Sequence, residues 1–341
     1  MRTSGWRPAP DTPKETEEVK RRAILQAAPA LMLAPWDAAR AQAFPDKPIR
    51  YIVPVAAGGG SDMVGRTLTD RWGRAIGQSF VVDNQGGGGG VIACQATMKS
   101  AADGYTLLQG YVATHGTSPA TRKLPYDPVK DFTPVGMIGA TPNVLVVDAN
   151  LPIRSFKEFV AWLNANKGKV SYGSAGPGSL THLTMELLKM QLRMPMVHIP
   201  YRGIAPAITD VIGGQTQAMF PGLAAALPHI RSNRLRPLAL TGKSRAAQLP
   251  EVPTLEEFGL KNFDAMQWYG VVGPAGMPAD VVRRLSVTLA GVLAAPDLRE
   301  KLSGEAIEPQ AMSPEAFGKY IQADVARWTQ LVKSQNLHID A

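Results

Sequence analysis

Along most of the chain, short apolar runs rich in β-branched residues alternate with segments of helical apolar spacing, and few folds accommodate that order. The runs IRYIVPV, SFVVDN, YTLLQG, NVLVVD, KVSYGSA, MVHIPY, QAMFPG and LRPLALT are interleaved with helical stretches at 63–76, 91–100, 155–165, 181–192 and 205–212. Strands and helices in this alternation build parallel sheets covered by helices on both faces. After the punctuation GPAGMP at 273–278 the pattern turns mostly helical, over 279–294 and 314–333.

Two of the strand-to-helix junctions are glycine loops. The first, YIVPVAAGGGSDMVGRT at 51–67, runs from a strand through three glycines into a helix. Such a junction presents free amides at the positive end of the helix and suits an anion. Gly60 to Thr67 stands one residue from the phosphate-loop pattern, with Arg66 where lysine belongs, and a planar guanidinium is no neutral replacement for that ammonium. The dinucleotide pattern fails, because Met63 holds its third glycine position. The second loop, VSYGSAGPGSLTH at 170–182, passes through Gly176 and Gly178 to Ser179, an N-cap residue. Each loop alone reads better as a tight connection; two facing each other would clamp an anion at the carboxyl ends of the strands, and together they weigh the two readings evenly.

Residues 19–44 carry a basic head (Lys20, Arg21, Arg22), a short apolar body and the small-x-small triplet Ala41-Gln42-Ala43. This is the layout of a secretory signal peptide, with cleavage after Ala43 and a periplasmic product. Its apolar body is shorter than the ~20 residues a membrane span needs. The Arg21-Arg22 pair leaves Sec and twin-arginine export both open, and the polar residues 1–18 leave open a translation start at Met1 or at Val19. Beyond the leader, which carries 7 basic against 5 acidic residues of a total net charge of +8, the chain is mildly basic without basic runs, which excludes a nucleic-acid partner. The single cysteine, Cys94, reads as a small buried residue, the five histidines are scattered without metal-ligand spacing, and no nucleophile elbow occurs. No cofactor, metal or catalytic residue is expected.

The segments FPDKPIRYIVPVAAGGGSD, KLPYDPVKDFTPVGMI, VSYGSAGPGSLTHL, VHIPYRG and WYGVVGPAGMP run in order through nearly the whole chain after the leader. In them the chain resembles the Bug-type solute-binding proteins, extracytoplasmic receptors of tripartite tricarboxylate transporters. The resemblance implies an α/β fold of the type II periplasmic binding protein class: two doubly wound domains, two crossover strands and a ligand cleft between them. It places the N-terminal extension and signal peptide at 1–43, domain 1 at 44–144 plus 268–341, and domain 2 at 145–267. It implies a monomer that binds a di- or tricarboxylate or related acid and meets membrane transporter subunits, without catalysis.

In that family the two loops hold one carboxylate chiefly through backbone amides and bridging water. The role carries over to Val55, Ala56, Ala57, Gly58, Gly59, Gly60, Ser61 and Asp62 in the first loop, and to Ser174, Gly176, Gly178 and Ser179 in the second. Thr114 and His115, at the end of one strand, and Phe220 and Pro221, at the end of another, are nearby candidates, whereas His198 is expected to fix a strand-end turn with Tyr201. Two positions depart from the family pattern: no aromatic follows Pro54, and the third glycine loop, Asn84 to Gly90, carries Gln85 in place of a basic residue and lacks proline. The alternatives are a phosphate-loop enzyme, which the binding of ATP and magnesium would reveal, and a ligand sensor for a membrane signalling partner.

Overall fold

The computed structural model describes residues 44–58, 60–261 and 263–334. The leader, its cleavage point after Ala43, and Gly59 lie outside them. Two mixed sheets organise the chain. The first has the order β11-β4-β10-β3-β1-β2, built from β1 (Ile49–Val53), β2 (Phe80–Asn84), β3 (Thr106–Tyr111), β4 (Phe132–Pro142), β10 (Met266–Pro274) and β11 (Glu308–Pro309). The second has the order β7-β6-β8-β5-β9, from β5 (Val144–Asp148), β6 (Ser171–Ser174), β7 (Val197–Pro200), β8 (Ala218–Met219) and β9 (Leu235–Leu240).

The alternation predicts parallel sheets, and β1 is parallel to β2 and β3, as β6 is to β7 and β8. The strands next to the crossings differ: β10 runs antiparallel to β3 and β4, and β5 antiparallel to β8 and β9. The physical reason is connectivity. β5 and β10 each start at the crossing and run away from it, whereas β1, β3, β6 and β8 end facing the other sheet and turn back through a helix.

The first lobe carries α1 (Gly60–Ile76), α2 (Val91–Met98), the short α3 (Ser118–Thr121) and the C-terminal α8 (Ala279–Ala294), α9 (Pro296–Gly304) and α10 (Pro314–Ser334). The second carries α4 (Phe156–Ala165), α5 (Leu180–Leu192), α6 (Ile204–Ile212) and α7 (Leu223–Arg231). Helix starts follow the sequence closely. Ser155 caps α4 by accepting the Glu158 amide at 3.2 Å, while Glu158 accepts the Arg154 amide at 2.6 Å, a reciprocal pair satisfying two of the otherwise orphaned donors. One apolar cluster joins Ile52, Leu108, Trp268 and Phe317 of the first lobe to Leu183 and Leu188 of α5, against which α10 packs. A second cluster, around Val144, Val146, Ile208 and Leu240, fills the other side of the second sheet.

The two crossings meet at one point. β4 enters β5 through Asn143, whose amide donates to Thr241 Oγ1 at 2.8 Å; the Thr241 amide returns to Asn143 O at 2.8 Å, and Thr241 Oγ1 donates to Ala265 O at 2.8 Å. The outgoing and returning chains are thus stitched together beside the cleft. Among the described residues no helix is long and apolar enough to cross a membrane.

Candidate functional site

A cavity of about 680 Å³ opens between the carboxyl ends of the two sets of parallel strands, a size suited to a small organic ligand. From the first lobe Val55, Gly60, Ser61 and Met63 line it, from the second Ala175 to Thr181. Its lining includes the first turns of two helices. The amides of Gly60 and Ser61 at the start of α1, and of Leu180 and Thr181 at the start of α5, have no acceptor among the described residues. Four donors without acceptors at two positive helix ends are an arrangement of the kind that suits an anion.

In the second loop this revises the expectation. The Gly176 amide turns back to Ser174 Oγ at 3.1 Å, the Gly178 amide to His182 Nδ1 at 3.1 Å and the Ser179 amide to Gly176 O at 3.2 Å. These glycines shape the turn and leave the free donors to the helix behind them. Gly178 does so at φ +72°, and a Cβ there would stand 2.7 Å from Thr121 Oγ1 of the other lobe. Both the backbone angle and the cross-cleft approach therefore require glycine.

The first loop is anchored by charge. Buried Asp62 accepts the Gly58 amide at 2.9 Å, Asn84 Nδ2 at 2.9 Å and Arg66 Nε at 3.0 Å. Burial pushes its carboxyl up, but the Gly58, Asn84 and Arg66 interactions outweigh that and hold it below the ordinary aspartate range. Arg66 also donates to Asn84 Oδ1 at 2.9 Å and does not line the cavity. The cation a phosphate loop would turn on its ligand is thus committed to bracing the loop.

The second loop is anchored by neutral rings. His182 and His198 stack with centroids 3.9 Å apart at 6°, and Tyr172 stacks on His198 at 5.0 Å. His198 Nε2 meets Ser174 Oγ at 2.7 Å, and Ser174 in turn holds Gly176. Glu186 accepts from Tyr172 and from Lys189 Nζ at 2.6 Å, and lies 3.8 Å from His182 Nε2. Burial, and for His198 the neighbouring His182 as well, lowers both imidazoles, His198 to about 4. His198 fixes this turn, though through Ser174 and not Tyr201, whose hydroxyl instead donates to Asp210 at 2.7 Å.

Of the residues singled out by sequence, Val55, Gly60, Ser61, Gly176, Gly178 and Ser179 line the cavity. Ala56, Ala57 and Gly58 are exposed and outside the lining, and Asp62, Ser174, Phe220 and Pro221 are buried and also outside it; the Phe220 and Pro221 carbonyls accept from Asn143 Nδ2 and the Val144 amide and so brace the crossing. Thr114 and His115 are turned away. The π-helical turn Ala113–Thr117 carries His115 into the core, 4.7 Å from the Phe132 ring, where burial lowers its imidazole to about 3.

The cavity also takes in residues with no motif to announce them: Thr117, Ser118, Thr121 and Arg122 on one helical face, Thr141 and Asn143 at the crossing, and Gln267, Tyr269 and Glu305. Arg122 was legible only as a residue four positions after Ser118. It fills the space left by the third glycine loop: its Nη2 donates to Gly88 O at 3.0 Å and to Ser118 Oγ at 3.2 Å, and a Cβ at Gly89 would run into the guanidinium. Among the described lining residues Arg122 is the one cation and Glu305 the one carboxylate. No group of three described His, Cys, Asp or Glu side chains could hold a metal ion.

A family model described as the tripartite tricarboxylate transporter family receptor matches residues 64–337. Protein BugT of Bordetella pertussis is 33% identical over 299 residues, covering 86% of this chain and 90% of that protein. Among solved structures, Rpa4515 of Rhodopseudomonas palustris with adipate is 33% identical at a TM-score of 0.79, covering 86% of this chain and 98% of that one. MatC of the same organism, with bound malate, is 29% identical at a TM-score of 0.73, covering 85% and 100%.

Proposed function

The chain belongs to the tripartite tricarboxylate transporter receptor family, and from that premise we propose that it captures a small organic carboxylate between its lobes and presents it to membrane transporter subunits. The observation that supports this reading is that the first turns of α1 and α5, whose amides have no acceptor among the described residues, line a single cavity, one from each lobe. One carboxylate oxygen directed at Gly60 and Ser61 and the other at Leu180 and Thr181 would bridge the lobes, so binding favours the closed arrangement over the open one. In this reading the lobes comprise 44–144 plus 268–341 and 145–267, and they move about the Asn143–Thr241 stitch. The protein works as a monomer, binds without catalysis, and reaches the periplasm after cleavage between Ala43 and Phe44, as the basic, apolar and small-x-small order of the leader supports.

The adipate and malate held by the two Rhodopseudomonas palustris proteins make these acids the first probes. Titration calorimetry and thermal unfolding against adipate, malate, a panel of related mono- and diacids, and ATP with magnesium test the proposal. A bound acid at a hundredfold excess over Kd adds about 2.7 kcal/mol, enough to raise the melting temperature by several degrees. Stabilisation by ATP with magnesium and by none of the acids would overturn the reading.

A further inference from the structure

The strand order of the first sheet serves as a ruler along the cleft. Neighbouring strands lie about 4.8 Å apart, so the end of β4 stands about 14 Å from the end of β1, and β11 about 19 Å from it. The carboxylate amides follow β1 in the first lobe and β6 in the second. Arg122 belongs to this same end, since it is bonded to Gly88 in the loop after β2 and adjoins Thr121, which touches Gly178. Among the described lining residues the one charge at this end, Arg122, is positive, and the free amides present their positive ends; the Asp62 carboxylate is spent on Gly58, Asn84 and Arg66 and does not line the cavity.

The opposite end has the reverse character. Asn143 is 1% exposed and lines the cavity; its Nδ2 donates to Phe220 O at 3.2 Å, which leaves Oδ1 as a buried acceptor without a partner among the described residues. Thr141 Oγ1, also buried and unpartnered there, is a hydroxyl that can either accept or donate, so the sign of this end rests on Asn143 Oδ1 and Glu305. Glu305, just before β11, adds a carboxylate with no ion pair among the described residues. A second carboxylate placed here would face an unpaired carbonyl oxygen and a like charge, with no cation to receive it. A hydroxyl or ammonium group would instead give Asn143 Oδ1 the donor it lacks, and an ammonium would also be attracted by Glu305.

We infer that the cleft selects an acid carrying one carboxylate at the α1/α5 end and a hydrogen-bond donor, ammonium or hydroxyl, at the Asn143–Glu305 end, in preference to an α,ω-diacid. The inference rests on the carboxylate reading above and deepens it. The strand spacings set the two ends about 14 Å apart along the first sheet, β1 to β4, and about 10 Å along the second, β6 to β5; hydrogen bonds of about 3 Å at either end leave about 4 to 8 Å, the reach of a chain of up to six carbons.

The test is calorimetry at pH 7 and fixed ionic strength with four acids of equal length: hexanoate, adipate, 6-hydroxyhexanoate and 6-aminohexanoate. The wild type is expected to bind the two donor-ended acids at least tenfold more tightly than adipate. Because Asn143 also braces Phe220, exposed Glu305 supplies the variant that leaves the fold intact: Glu305→Lys should shift the ratio of 6-aminohexanoate to adipate affinity toward adipate by about tenfold. Adipate binding tightest of the four to the wild type, or a ratio unmoved by Glu305→Lys, would overturn the inference. Failure of all four to bind while malate or another acid of the wider panel binds would also overturn the inference, whereas failure of every acid in that panel would remove the carboxylate reading on which it stands.

Discussion

The two helix starts that face each other across the cleft do the same work with opposite chemistry. At α1 the loop is tied by an ionised carboxylate, Asp62, with Arg66 and Asn84 around it. At α5 it is tied by uncharged imidazoles, His182 on Gly178 and His198 on Ser174. The first arrangement needs its charge and the second needs to remain without one. The two loops of the proposed site are therefore held by anchors that fail under different conditions.

The largest expected effect comes from removing the charged anchor. Asp62→Ala strips the acceptor from Gly58, Asn84 and Arg66 at once, and should lower unfolding stability by about 3 kcal/mol in urea titrations, with ligand binding lost. A loss under 1 kcal/mol would show that the first loop holds its shape without Asp62. Next comes Gly178→Val, which combines a forbidden φ with a clash against Thr121. Affinity for whichever acid binds best should fall on the order of a hundredfold while unfolding stays cooperative, whereas unchanged affinity would disprove the close approach of the lobes at this point.

A smaller effect separates the anchors by pH. A histidine with a lowered folded-state value stabilises fully above its unfolded value of about 6.5, and that contribution fades as pH falls toward the folded value, about 4 for His198. Asp62, lowered for the opposite reason, keeps its contribution throughout that window. Affinity should therefore hold through the ordinary histidine range and drop several-fold only as pH falls below it, where protonation of these lowered imidazoles turns the His182 Nδ1 acceptor into a donor against the Gly178 amide. His182→Asn, which can retain an acceptor but cannot titrate, should flatten this profile; an equally steep profile in the variant would place the titration elsewhere, including in the ligand. The smallest effect belongs to Arg66→Ala. The arginine side chain is 54% exposed, so its pair with Asp62 is worth less than about 1 kcal/mol and affinity should change by no more than a few-fold. A collapse of binding in this variant would revive the phosphate-loop alternative.

Much of this architecture can be read along the chain, because alternating strands and helices and a glycine-to-helix junction are local patterns. The site was legible only to the level of the loop. Gly176 and Gly178 mark the second turn, yet their φ of +121° and +72° goes with amides that point back into the loop, so the free donors fall at Leu180 and Thr181, where an apolar side chain and an ordinary helical position give no signal. His115 attracted notice as a polar residue after a strand, and a π-helical turn rotates it into the core. Asn143, Arg122 and Glu305 reach the cavity from a crossing, a short helix and a C-terminal bend, and their meeting depends on chain paths that no spacing encodes.

The central claim is that amides from both helix starts hold one carboxylate. Amide-resolved NMR of ¹⁵N-labelled protein, titrated with the acid that binds tightest among those above, tests it most directly. The account predicts saturable downfield proton shifts, the largest in the molecule, at Gly60 and Ser61 together with Leu180 and Thr181, sharing one dissociation constant. Shifts confined to one lobe, or centred on Gly176 and Gly178 with Leu180 and Thr181 unmoved, would contradict it.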